Sequence, residues 1–179
     1  MLLTQHKSSL ASSVSIDENN DPLGLSPQKV DNRKRFLRFL FSHEHEALLP
    51  LDCVLEVLQL SSESLLPIPD MPRCISGICK WKGETLWVVD LNALIDQKPL
   101  DPHLIGTLSV IVIKHDHRML GLMVEQVIDI DLRDEDTIHI DPGLCSPNLA
   151  PLVIGHCSQP DSVLFDVAAI ANNPKIHHR

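Results

Sequence analysis

The stretch Ile75-Ser76-Gly77, running through to Val88-Val89-Asp90-Leu91-Asn92-Ala93-Leu94-Ile95, decides how this chain is read, because it is written twice. The worn copy is Val153-Ile154-Gly155 through Leu164-Phe165-Asp166-Val167-Ala168-Ala169-Ile170. Each passes from an apolar residue pair around a glycine into an apolar strand that ends in Asp, then into a short helix-like piece. Upstream, Leu48-Leu49-Pro50-Leu51 with Val54-Leu55-Glu56-Val57 is matched by Met119-Leu120-Gly121-Leu122 with Val124-Glu125-Gln126-Val127. A spacing of about seventy to eighty residues is too long for a solenoid repeat and suits two half-domains of one fold. A duplicated small β unit with no catalytic constellation in either copy points to a docking module rather than an enzyme.

Around this repeat the chain reads as many short strands. Phe36 to Phe41 is β-prone and ends at the polar turn 42–46; Ala47 to Leu51 and Val54 to Leu60 follow. Pro67, Pro69 and Pro72 forbid a central strand and make a stiff extended connector. Cys74 to Trp81 and Glu84 to Asp90 pair around the Lys82-Gly83 turn. Asp90 then sits where its carboxylate can accept from the first free amides of a helix over 91–95, and Asp166 holds the matching place in the second copy. The polar linker 96–103 separates the halves, with the junction near 96–106. Val110-Ile111-Val112-Ile113 suits a strand buried on both faces. Residues 131–142 read as an acidic, solvated loop, and 173–179 as a polar tail. Residues 1–33, punctuated by Ser, Asp, Pro and Gly, bury too little apolar surface to offset their ordering entropy and read as a disordered arm.

Composition narrows the function classes. The net charge of −9 excludes a general nucleic-acid binder, which needs surplus Lys and Arg for phosphate. Tyr is absent, and two Trp and four Phe leave few stacking platforms. Five cysteines, Cys53, Cys74, Cys79, Cys145 and Cys157, form no CxxC pair and read as thiols of a reducing compartment. No apolar run resembles a signal peptide or a membrane span, so a cytoplasmic protein is expected.

Catalytic and metal motifs are weak. His43 and His45 flank Glu44, and His115 and His117 flank Asp116, but both pairs fall in turns and lack a third ligand. The acidic run from Asp129 to Asp141 lacks calcium-loop spacing. No nucleophile elbow or phosphate loop occurs. Neither a metal nor a cofactor is expected; a thiol hydrolase pairing a Cys with a His in space is the enzyme alternative.

These same strings, in this order, are similar to a CheW-like domain over roughly Arg33 to Ala171. The resemblance implies a mostly β fold of two five-stranded, SH3-like barrels side by side. It implies a non-enzymatic adaptor that couples methyl-accepting chemoreceptors to a CheA-type histidine kinase. One barrel face would meet the kinase regulatory domain, a groove between barrels would take the receptor's helical cytoplasmic tip, and membranes would be reached only through receptors. Val54, Glu56 and Val57 match the family's Val-x-Glu-Val/Ile segment near its partner surface, and Gly77, Lys82 and Gly83 match its Gly…Arg-Gly turn. Asp90 matches the family Asp, read here as a cap; Gly121, like Gly77 and Gly83, also fits a backbone that needs room. Lys82 keeps the charge of the family Arg but loses its planar fork. Trp81 and Trp87 across the hairpin read either as an aromatic pair on one side or as core packing, and the Trp-Lys-Gly-x-x-x-Trp pattern resembles the branch serving type IV pilus motility and phototaxis. A stand-alone module of the same fold, serving another motility regulator, is the alternative within the family.

Overall fold

The computed structural model describes residues 33–42, 45–139, 145–158 and 161–177. The N-terminal arm lies outside the described residues except for Arg33, as do His43 and Glu44. In chain order the strands are β1 (Lys34–Ser42), β2 (His45–Pro50), β3 (Val54–Ser61), β4 (Ile75–Trp81) and β5 (Glu84–Asp90), followed by helices α1 (Leu91–Leu94) and α2 (Pro102–Ile105). Then come β6 (Thr107–His115), β7 (Arg118–Val124), β8 (Gln126–Arg133), β9 (Ile138–His139), β10 (Val153–Ser158), β11 (Asp161–Phe165) and helix α3 (Val167–Ala171).

Two curled sheets result. One has six strands in the order β8-β1-β2-β11-β10-β9, the other five in the order β3-β6-β7-β5-β4. The repeat and the sheets divide the chain differently. β3 leaves the first half to pair with β6, and β8 leaves the second to pair with β1. Parallel pairs β5–β7 and β11–β2 complete the exchange.

The duplication extends to details of the backbone. The β4–β5 ladder slips between Ile75 and Gly77, and the β10–β11 ladder slips between Val153 and Gly155. Each slip marks a bulge. Just past each, another segment crosses close to the glycine. A Cβ on Gly77 would lie 2.3 Å from the Leu66 carbonyl oxygen, and one on Gly155 would lie 2.6 Å from that of His139. Leu66 accordingly exchanges hydrogen bonds with Ile78 at 2.8 and 2.9 Å, while β9 pairs with β10.

Three apolar clusters follow from strand alternation. Leu37, Phe39 and Phe41 of β1 meet Ile111, Ile113 and Leu122 of the other sheet in the largest, which lies between the sheets. Leu86, Val88, Val110, Val112 and Met123 fill the curl of the five-stranded sheet, and Phe36, Leu48, Cys157 and Leu164 that of the six-stranded one. The run 110–113 is buried on both faces, as read from its sequence.

Four expectations need correction. The six-stranded sheet gains β9, where a solvated acidic loop was expected, and β8 continues to Arg133. The acids there are ordered by cations: Arg38 grips Asp129 with two bonds of 2.9 and 2.8 Å and reaches Glu46 at 3.3 Å, and Arg133 meets Asp131 at 2.7 Å. The 96–103 linker runs into α2, with Asp101 capping His103 N–H at 2.9 Å. The tail docks up to His177: Ile176 packs on the central cluster, and Lys175 Nζ bonds Leu94 O at 3.0 Å and Asp96 at 2.7 Å. Finally, Trp81 and Trp87 face opposite sides of their hairpin. Trp81 pairs with Glu84, and Trp87 lies an odd three residues beyond it, opposite Ile78.

Candidate partner-binding surface

β3 and β4 are the outermost strands of the five-stranded sheet, and side chains join them where the sheet curls. Glu56 on β3 accepts a hydrogen bond from Trp81 Nε1 at 2.9 Å and an ion pair from Lys82 Nζ at 3.0 Å. The Lys82 ammonium lies 4.7 Å from the Trp81 ring centroid, within cation–π range. Hydrogen bonds from Lys82 and Trp81 hold the Glu56 carboxyl below the usual carboxylate range. The turn that presents Lys82 has φ of +47° at Lys82 and +89° at Gly83, as a tight two-residue hairpin requires. Glu56, Trp81, Lys82 and Gly83 therefore form one surface corner.

The other residues singled out from sequence lie elsewhere. Gly77 is set by the close approach of Leu66. A Cβ on Gly121 would meet Val110 Cγ1 at 2.7 Å, so its bareness serves the curl's interior. Asp90 caps α1 through Ala93 N–H at 3.1 Å and also holds Leu100 N–H at 2.7 Å. Burial pushes its carboxyl up, against those bonds. Asp166 caps α3 through Ala168 N–H at 2.8 Å and Ala169 N–H at 3.2 Å. Val54 packs against the central cluster, whereas Val57 is exposed. Trp87 is 38% exposed, on a strand whose neighbours are β4 and β7.

Reading from sequence named Val57 but missed the exposed apolar side chains that accompany it on the edge strands, Leu55, Ile130 and Leu132. Val57 pairs with Ile111, so it extends the face of the five-stranded sheet that carries the central cluster, with Leu55 exposed beside it. On the other sheet Ile130 pairs with Leu37 and Leu132 with Arg35, again on the face of the central cluster, and both are exposed. Each sheet thus ends at one edge in apolar side chains that border the seam between the layers and are left uncovered. The signal was visible in Ile128-Asp129-Ile130-Asp131-Leu132-Arg133, a strict alternation. Its orientation is the reverse of the usual one: the charges point into the curl, where they pair, and the apolar residues point out.

Nothing in the described residues resembles an activated nucleophile. No disulfide joins the cysteines, and burial pushes the thiols of Cys53, Cys74, Cys79 and Cys157 up, opposite to what thiolate chemistry needs. No described helix is long and apolar enough to cross a membrane, and no group of three His, Cys, Asp or Glu among the described residues could hold a metal ion.

Comparison with known proteins agrees with this architecture. A crystal structure of the scaffolding protein TtCheW from Thermoanaerobacter tengcongensis superposes with a TM-score of 0.65 at 21% identity, covering 75% of this chain and 90% of that one. No curated protein matches the chain by sequence. The profile of the CheW-like domain matches residues 35–175, which include both copies of the repeat, both sheets and the exposed edges. The chain belongs to the CheW-like domain family.

Proposed function

We propose that this chain is a non-enzymatic adaptor that couples methyl-accepting chemoreceptors to the regulatory domain of a CheA-type histidine kinase. The observation that carries the reading is the pair of uncovered apolar margins, Leu55 and Val57 on β3 and Ile130 and Leu132 on β8, beside the seam between the sheets. Such margins suit the apolar stripe of a helix, which supplies side chains and needs no backbone from its host. The receptor's helical tip takes that place. The corner of Glu56, Trp81 and Lys82 offers charge and an indole on a rigid turn, and serves the kinase contact. The pattern Trp81-Lys82-Gly83 with Trp87 favours a kinase of pilus-based motility or phototaxis over a flagellar one.

Titration calorimetry of the chain with the regulatory domain of a CheA-like kinase from the same genome tests the kinase contact, with Glu56→Ala and Lys82→Ala alongside. Saturable one-to-one binding, weakened by either substitution, is expected. Absence of binding at high micromolar concentration sinks the kinase coupling. A receptor-tip peptide tests the seam, where Ile130→Glu should abolish binding while the kinase titration stays unchanged.

A further inference from the structure

A groove of about 600 Å³ lies on the five-stranded sheet across β4, β5 and β7. Its walls are Trp87, Leu120, Met119 and Met71, and the docked tail closes one side with Ile176. Arg118 stands at the rim. The guanidinium is fixed by Ala171 O at 3.3 Å and Asn172 Oδ1 at 3.2 Å, and it lies 2.9 Å from His177 Nε2. The same ring nitrogen lies 2.7 Å from Ala171 O: in one tautomer it accepts from Arg118, in the other it donates to Ala171 O. The nearby carboxylate of Asp116 faces His115 at 3.5 Å instead. Arg118 is thus a positioned cation whose contacts are neutral acceptors and an imidazole, beside an apolar groove on a chain of net charge −9.

We propose that this groove is a second docking site, for an acidic amphipathic helix. Charge complementarity selects the acid. A guanidinium with no carboxylate bonded to it among the described residues presents a fork of donors that a Glu or Asp satisfies with two bonds. The strands select the helix. Trp87 is on β5 and Met119 and Leu120 are on β7, strands already paired on both sides. Ile75 also lines the groove from the outer strand β4, but its N–H bonds Pro72 O at 2.8 Å and Leu66 already pairs with Ile78, so strand addition is disfavoured there. A partner must enter by side chains, and two methionines with an indole form a wall that adapts to an apolar stripe. The proposal rests on reading the chain as a docking module, but it uses neither the seam margins nor the Glu56 corner.

The test uses fluorescence. In the full chain with Trp81→Phe, Trp87 is the remaining tryptophan and reports on its own groove. The probes are a Leu- and Ala-based helical peptide with Glu on its polar face, and the same peptide with Lys there. The acidic peptide should give a saturable blue shift of Trp87 emission, and the basic one none. Arg118→Gln keeps a donor for Ala171 O and Asn172 while removing the charge, and should weaken the acidic peptide about tenfold. Arg118→Glu should transfer the preference to the basic peptide. No saturable shift with either peptide overturns the proposal, as does equal binding of both that Arg118→Gln leaves unchanged. The kinase titration of Arg118→Gln should match that of the parent chain, so failure here is distinct from failure of the adaptor reading.

Discussion

Glu56 accepts the indole N–H of Trp81 at 2.9 Å, and this bond joins the first and last strands in the order of the five-stranded sheet. The same oxygen takes Lys82, so one carboxylate holds together the curl and the hairpin turn proposed for the kinase contact.

Acid should open this corner. Lys82 and Trp81 hold the folded-state carboxyl below the value of an unfolded Glu, about 4.3. Its contribution is therefore present above that value and lost as pH falls through the lower, folded one. With Trp87→Phe leaving Trp81 as reporter, emission should shift only below the ordinary Glu range, and Glu56→Gln should remove the step. A midpoint at or above the ordinary range contradicts the tie.

Gly77→Ala and Gly83→Ala separate space from conformation. A Cβ at Gly77 meets the Leu66 carbonyl at 2.3 Å and carries a φ of +148°, while one at Gly83 meets nothing within 4 Å and bears only a φ of +89°. Chemical denaturation should show a loss of about 3 kcal/mol or more for the first and about 1 kcal/mol for the second. Equal losses would mean that the Leu66 crossing yields.

Removing the two helix caps should have unequal effects. Asp166→Ala strips a cap from α3, for about 1 kcal/mol. Asp90→Ala also strands the Leu100 N–H, for about 2 kcal/mol. Burial raises the Asp90 carboxyl, so its contribution is fullest below the unfolded value of about 3.9 and declines as pH rises through the folded one. The gap between parent and Asp90→Ala in melting temperature should narrow from acid to neutral pH.

Thiol titration with an aromatic disulfide at neutral pH should find Cys74, Cys79 and Cys157 slower than glutathione, because each is buried with its thiol pushed up. Denaturant should release them. Fast reaction of any one in the folded chain would revive thiol chemistry.

Local chemistry was readable where it acts over a few residues. The Lys82-Gly83 hairpin, the Asp90 and Asp166 caps and the doubly buried 110–113 strand all depend on near neighbours or on simple periodicity. Strands were read as far as Ile130, but the end of β8 was not readable, because Arg38, ninety-one residues before Asp129, is what turns its acids inward. The tail was misread for a similar reason: Lys175 finds its acceptors eighty-one and seventy-nine residues away, at Leu94 and Asp96. Lys82-Gly83 alone should have ruled out the tryptophan pair, since positions three and zero residues past a two-residue turn have opposite parity. The Glu56 corner was named from sequence as separate residues, but the bonds that unite them span twenty-five positions.

The exchange of β3 and β8 between the sheets has a consequence for how the protein comes into being. A ribosome that has delivered β1 to β5 has supplied parts of both layers and the whole of neither, since β3 waits for β6, β1 for β8 and β2 for β11. The five-stranded sheet can therefore close only once β7 has emerged, and the six-stranded one only with β11. Two fragments cut between α1 and β6 should be insoluble apart and should regain a single cooperative melt only when mixed.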